Sequence, residues 1–464
     1  VRTADLPEHY PEILTTRRLP ARIAPGMTFM LLGHYNDDRD YQPLPSAIDE
    51  HGEVRWFYDG DAGHLLRRTP RGTLLVSDDE SVREITMLGE PTGREWPLPE
   101  GFHHDGELLP DGNLLALSTA PGSFEDGLVE VDLESGEIVA EWDYREILDP
   151  QRPRQPVNLS EADWLHLNGV EYDARHDQII VSGRDQSAVV SIGRGDGELR
   201  WILGSHEHWT DEFIPYLLEP VGSPFAWQWG QHAPMVHPTR PGRLLLYDNG
   251  NKRSYTAPLA TRENYSRAVE YEIDPEAGTV RQLWEFGTRY GWALYTPFIG
   301  DADYLPNTNR LVTFGGVTRT LEGEPTELFD YEQGSVRPMK ISAHIVETLG
   351  PDEQSGAGAG DAGATGQAVS GRAGDAGPAA TPGPETTGPE TAGPETAGPE
   401  TAGPETPVPG AATPGIRVPA TIPALRQALS RDPRVVQVFS FVDPDPASYR
   451  GYRVYRAVRM PLYP

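Results

Sequence analysis

Three short stretches place histidine and asparagine where an anion could be bound and attacked. They are Phe102-His103-His104-Asp105-Gly106-Glu107, Trp164-Leu165-His166-Leu167-Asn168-Gly169-Val170-Glu171 and Trp227-Gln228-Trp229-Gly230-Gln231-His232-Ala233-Pro234. Imidazole titrates near neutral pH and its unprotonated nitrogen is a nucleophile, so histidines grouped around one point suit covalent catalysis and proton exchange. Between the second and third stretches lies Ser182-Gly183-Arg184-Asp185-Gln186-Ser187. Its guanidinium fork matches a pair of phosphate or sulfate oxygens better than an ammonium does. Each residue type also has a plainer use. A lone histidine in a chain this long is usually structural or exposed, and a lone arginine is usually half of an ion pair. Trp227 and Trp229 would ordinarily pack a core, and Asp248-Asn249-Gly250 would ordinarily make a turn. Three histidines could also bind zinc or iron, against which stand sparse carboxylate neighbours and the cation Arg184. The choice turns on whether the stretches converge.

The elements that would bring them together repeat along the chain. Two strands around an acidic, Gly-containing turn recur at residues 46–58, 82–98, 127–144, 188–203 and 268–286, and at 338–347 with a distant partner at 435–441. Each is preceded by a Pro- or Asp-marked turn leading into a short apolar strand. Examples are Leu109-Pro110-Asp111-Gly112-Asn113-Leu114-Leu115-Ala116 and His237-Pro238 leading to Leu244-Leu245-Leu246, with a weaker copy at Ala24-Pro25-Gly26-Met27. Six four-stranded units predict an all-β, six-bladed β-propeller, in which radial repetition leaves few exposed sheet edges. Tyr452-Arg453-Val454-Tyr455-Arg456-Ala457-Val458-Arg459 alternates cleanly without a hairpin partner, and is read as the strand closing the ring against the first blade. In a propeller the innermost strands line the axis, so the three histidine stretches, each at the start of one, are expected to converge. Aligning blades three and four by their turns superposes His103 on His166. His232 falls one residue out of that register, which a bulge at Pro234 would correct.

Residues 351–433 are of another composition, Gly/Ala/Pro-rich and then Gly-Pro-Glu-Thr at a five-residue period from Gly383 to Thr406. Such a segment buries too little apolar surface to fold. It is read as a disordered insertion in the last blade, between blades one to six in residues 1–350 and closing strands in 434–464, with a short helix at Pro423–Leu429. The 464 residues include no cysteine, which excludes disulfides and thiol catalysis, and carry a formal net charge of −31, which argues against nucleic acid and anionic membrane surfaces. No stretch approaches the roughly 18 apolar residues of a membrane span. Val1-Arg2-Thr3 opens no leader, so a cytoplasmic location is expected, or an exported one if a leader precedes it.

Five ordered motifs resemble the bacterial arylsulfate sulfotransferases. They are His103-His104-Asp105 with Leu109-Pro110-Asp111-Gly112-Asn113, Asp163-Trp164-Leu165-His166-Leu167-Asn168, Ser182-Gly183-Arg184-Asp185-Gln186-Ser187, Trp227-Gln228-Trp229-Gly230-Gln231-His232 and Asp248-Asn249-Gly250. The tail Tyr452-Arg453-Val454-Tyr455-Arg456-Ala457 is similar too. The family pattern commonly has Asn at 111, Ser at 169 and often His at 185, where this chain has Asp, Gly and Asp. The resemblance implies sulfuryl transfer from an aryl sulfate to a phenol without phosphoadenosine phosphosulfate, by a ping-pong scheme through a sulfohistidine. It assigns His232 as nucleophile. Arg184 and Asn168 would hold sulfate oxygens, His166, His103 and His104 would bind sulfate and exchange protons, and Trp227, Trp229 and Tyr295 would stack on aryl rings. No cofactor or metal is implied; the partners expected are small aryl sulfates and phenols, with a homodimer allowed. A hydrolase or lyase using the same basic cage, and a non-catalytic scaffold, are the alternative classes.

Overall fold

Strand alternation and turn chemistry produce a ring of six small antiparallel sheets in the computed structural model, which describes residues 5–7, 9–35, 41–60, 62–155, 163–330, 335–336, 338–351, 418–443 and 451–461. Blades two, three and four are four-stranded meanders. Blade two runs from Leu66–Arg68 to Pro91–Pro97, blade three from Gly106–Leu108 to Ile138–Asp143, and blade four from Leu167–Asp173 to Leu199–Gly204. Blade five starts at His232–Val236, and blade six at Asp301–Tyr304. The all-β, six-bladed propeller read from the repeats is the architecture observed.

Each blade is sandwiched between two others, so both faces of its middle strands are buried and the strands read as continuous apolar runs. In Gln178–Gly183, Ile179 and Val181 pack with Leu115, Leu117 and Val170 toward blade three, while Ile180 packs with Leu244 and Val269 toward blade five. The next blade repeats the division, Leu244 and Leu246 facing one way and Leu245 and Tyr247 the other. The polar turns are held locally. Asp132 Oδ1 accepts the backbone N–H groups of Glu134 (2.7 Å) and Ser135 (3.1 Å), and Gly136 supplies the left-handed residue (φ +79°).

Both ends of the chain close the ring. Gly451–Met460 is the innermost strand of blade one, paired antiparallel with Met27–Tyr35 from Met27↔Met460 to Tyr35↔Gly451. Ala24-Pro25-Gly26 is therefore no hairpin turn: the partner strand comes from the opposite end of the chain. Glu12–Arg17 adds a fifth, outermost strand to blade six beside Val435–Val442. Before that strand comes a helix, Ile422–Arg431, capped by Thr421, whose Oγ1 accepts from Ala424 N (3.3 Å). Leu425 and Leu429 fix it to blade six among Tyr290, Val435 and Val438. Of the low-complexity stretch, residues 352–417 lie outside the described residues.

Candidate active site

The strand starts that carry the histidines are irregular, and the irregularity aims them. His104, His166, Ala233 and Ile299 each hold left-handed backbone (φ between +50° and +54°) immediately before or within the entry of successive innermost strands. Blade five has a register shift between His232 and Met235, so the strand is bulged at Ala233-Pro234, as the sequence register requires. Blade four has another between Leu167 and Gly169. Counting back from the turns cannot see that bulge, which is why the turn alignment pairs His103 with His166, whereas the backbone makes His104 and His166 the alike pair.

Ring contacts place His104 among its neighbours from other blades. Its ring lies 4.7 Å from His166, 5.4 Å from His64 and 6.1 Å from Tyr455, centroid to centroid. His103 sits beside it, Nδ1 to Nδ1 at 3.1 Å. His64, contributed by blade two, was not singled out by the repeats. His104 N donates to its Nδ1 (3.2 Å), so the His64 proton is on Nε2, and burial, then Arg453, holds its pKa down at about 3.

His232 is 4% exposed and its tautomer is fixed by geometry. Asn249 Nδ2 donates to both Thr296 O (2.8 Å) and Ile299 O (2.7 Å), which turns Oδ1 toward His232 Nδ1 at 2.7 Å. An amide oxygen only accepts, so Nδ1 carries the proton and the lone pair is left on Nε2. Burial, then the Arg184 charge, holds the imidazole pKa well below its ordinary value, keeping the ring neutral. The preceding residue anchors it: Gln231 Nε2 donates to Ser182 Oγ, Gly183 O and Ala188 O of blade four, at 3.0, 3.2 and 3.0 Å. Asn168 Nδ2 donates to Gln231 O (2.9 Å). Asn168 thus braces the strand entry of His232 from the neighbouring blade.

Charge around this imidazole is arranged in two groups. Arg184, 4% exposed, places Nη1 3.3 Å from Asp185 Oδ1 and donates Nη2 to Pro297 O (3.2 Å). Burial pushes the Asp185 carboxyl up to about 7, against the pull of Arg184. Opposite, His166 Nδ1 is hydrogen-bonded to Asp163 Oδ2 (2.6 Å) and stands 2.7 Å from Glu125 Oε2. These carboxylates are the neighbours that the sequence reading counted as sparse. Glu125, Asp163 and His166 also cluster as metal ligands would, but donors around zinc at about 2.1 Å lie roughly 3.4 Å apart. The Asp163 contact is a charge-assisted hydrogen bond, and Glu125 Oε2 faces the same Nδ1 as an ion-pair partner.

The aromatic residues lie in packing positions. Trp227 meets Phe225 (4.8 Å) and His206 (5.5 Å) in the cluster between blades four and five, and Trp229 meets Tyr255 (5.6 Å). Tyr295 is fully buried, its hydroxyl donating to Glu327 Oε1 (2.9 Å). Along the axis, a cavity of about 720 Å³ runs from His64 and Ala233 past Asp105, Glu107, Glu171, Asp301 and Asp303. Arg456 meets Asp105 there at 2.5 Å, and Arg67 meets Glu107 at 3.0 Å. Four guanidiniums, Arg67, Arg68, Arg456 and Arg459, share this wall with the five carboxyl groups, and burial raises Glu107, Glu171, Asp301 and Asp303 toward their neutral forms.

The arylsulfate sulfotransferases AssT of Escherichia coli O6:H1 (strain CFT073) and of Lelliottia amnigena are 31% and 30% identical over 364 residues, 62% of this chain. The chain spans 60% of the length of either relative. A solved structure of a Bacteroides caccae protein of unknown function is 14% identical with a TM-score of 0.40, covering 70% of this chain and 90% of its own. The pattern of the Arylsulfotransferase (ASST) family matches residues 17–348, the ring from the outer strand of blade six to the end of that blade's third strand. On that match the chain belongs to the arylsulfotransferase family.

Proposed function

We propose that the protein transfers a sulfuryl group from an aryl sulfate to a phenol, by a ping-pong scheme through sulfohistidine at His232 and without a nucleotide sulfate donor. One observation carries the reading: the Asn249 amide leaves His232 neutral with its lone pair on Nε2. In the first half-reaction Nε2 attacks sulfur, the S–N bond forms, and the S–O bond breaks with its electron pair on the phenolate. In the second, the acceptor phenol oxygen attacks sulfur and the S–N pair returns to Nε2. Arg184 supplies preorganised donors for the sulfate oxygens, where a buried cation is worth most. His104 and His166 line the same group of rings.

The test uses 4-nitrophenyl sulfate with and without a phenol acceptor. Acceptor-dependent nitrophenol release is expected; release without acceptor makes the protein a hydrolase, and no release makes it a scaffold. Incubation with donor alone should add about 80 Da at His232, the mass of one sulfuryl group on a histidine nucleophile. An adduct of that mass on His232→Ala would remove His232 from the role.

A further inference from the structure

We propose that Glu125 and Asp163 are positioning residues that hold His166 as an imidazolium through Nδ1, leaving Nε2–H to shuttle a proton to and from the phenol oxygen. The inference rests on the sulfuryl-transfer reading and names the groups behind its proton transfer. Asp163 and Glu125 reach Nδ1 from two different blades. Asp163 belongs to the segment entering blade four and meets Nδ1 at 2.6 Å. Glu125 belongs to the loop between the second and third strands of blade three and stands at 2.7 Å. That loop is locked onto the histidine's own backbone: Glu125 O accepts from Leu167 N (2.8 Å), while Asp126 Oδ1 accepts from Leu165 N (3.0 Å) and His166 N (3.3 Å). Glu125 itself is held at φ +57°, a conformation that costs a residue with a side chain on the order of 1 kcal/mol and persists where the surroundings enforce it.

Asp163 accepts the one hydrogen on Nδ1 and Glu125 Oε2 faces the same atom as a negative charge, so the second proton of the imidazolium resides on Nε2. Burial works against that charge, yet Glu125 and then Asp163 outweigh it and raise the His166 pKa well above its ordinary value. Burial likewise would raise Glu125, and His166 instead takes it down to about 2. The other titratable groups around His166 are His103, His104 and Asp126 of blade three, the last pushed up to about 6 by burial, with Asp185 of blade four and His232 of blade five. The three histidines are held low, chiefly by burial, so the imidazolium is at His166.

The chemistry follows from the protonation state. A general acid must hold its proton at the operating pH, and the two carboxylates keep Nε2–H in place there against burial. As the S–O bond breaks, Nε2–H passes its proton to the phenolate oxygen and His166 becomes neutral. As the acceptor phenol attacks the sulfohistidine, its O–H proton returns to Nε2. Over both half-reactions no proton is gained or lost.

The test compares Glu125→Gln and Asp163→Asn with wild type, using phenyl sulfate and 4-nitrophenyl sulfate as donors. Phenolate is the poorer leaving group and needs the proton more. We expect kcat to fall about 10²-fold or more for phenyl sulfate, within the usual range of general-acid catalysis, and much less for 4-nitrophenyl sulfate. Activity requires the protonated ring, so it is present below the His166 pKa and lost above it; removing a carboxylate should move that alkaline limb to lower pH. NMR titration of His166 in the same variants should shift in the same direction, a readout that does not depend on turnover. Equal losses for both donors, with an unmoved limb and an unmoved His166 titration, would overturn the proposal while leaving wild-type transfer standing. A wild type that transfers to no phenol overturns both readings.

Discussion

Asn249 shows how one amide can decide which nitrogen of a histidine carries its proton. Its two hydrogens are committed to backbone carbonyls, so rotating the amide would set its NH2 against His232 Nδ1–H and its oxygen against those carbonyls. Asn249→Ala removes the acceptor and lets the buried imidazole adopt either tautomer. Loss of a tautomer-fixing partner elsewhere costs about 10⁴ in turnover, and a fall in kcat of roughly 10²–10⁴ with little change in KM is expected here. Asn249→Asp keeps an acceptor but adds a charge beside a ring whose pKa burial and Arg184 hold down. The His232 pKa should rise. In the proposed mechanism the neutral ring is the nucleophile and activity is present above that pKa, so the acid limb of the pH profile should move to higher pH in Asn249→Asp. An acid limb unchanged from wild type would mean that the Asn249 contact does not control His232.

The strand entries explain both what could be read from the sequence and what could not. Alternation in Val129-Glu130-Val131 and the Asp132 turn are local signals, and they place blade three correctly. The register conflict at His232 was also readable, because a period of two leaves a one-residue slip visible and Pro234 supplies the bulge. The partners of His166 were not. Glu125 sits in a connection between strands, where no spacing rule links it to a histidine 41 positions later; only packing of blade three on blade four brings them to 2.7 Å. His64 escaped for a similar reason, since its blade has no second histidine or asparagine to mark the position. Gly169, where the family commonly has serine, is explained by the same closeness of blades. A Cβ there would lie 2.6 Å from Pro234 Cδ and 3.0 Å from Ala233 N, both in the bulge that follows His232. Gly169→Ser must therefore push the bulge aside, at a cost of about 1–3 kcal/mol for overpacking. The expected result is a lower melting temperature together with a lower rate of His232 sulfation in single-turnover experiments with donor alone. Unchanged sulfation would show that the bulge can move without carrying the imidazole with it.

For the whole ring, the two chain ends differ in what they contribute. The outer strand Glu12–Arg17 lies on the rim of blade six and covers one sheet edge. The inner strand Gly451–Met460 lies on the axis and makes contacts with several blades at once. Tyr455 packs its ring 5.0 Å from His64 of blade two, and Arg456 pairs with Asp105 of blade three at 2.5 Å. Arg459, nearly fully buried, reaches Glu347 of blade six at 3.2 Å. Removing residues 449–464 takes away the innermost ladder of blade one and leaves Asp105 and Glu347 with buried charge less well paired, which is strongly destabilising. Removing residues 1–17 exposes the edge of Val435–Val442 and takes away the His9 carbonyl that accepts from the Tyr452 hydroxyl (2.6 Å), but keeps the innermost ladder of blade one. Truncation after residue 448 should therefore abolish cooperative unfolding of the ring, whereas deletion of residues 1–17 should lower the melting temperature and retain His232 sulfation. The opposite ranking would place the closing lock of the ring on its rim. Thermal melts of the two truncations, each paired with the donor-alone labelling experiment, decide between them, because labelling at His232 requires blades three, four and five to meet at the axis.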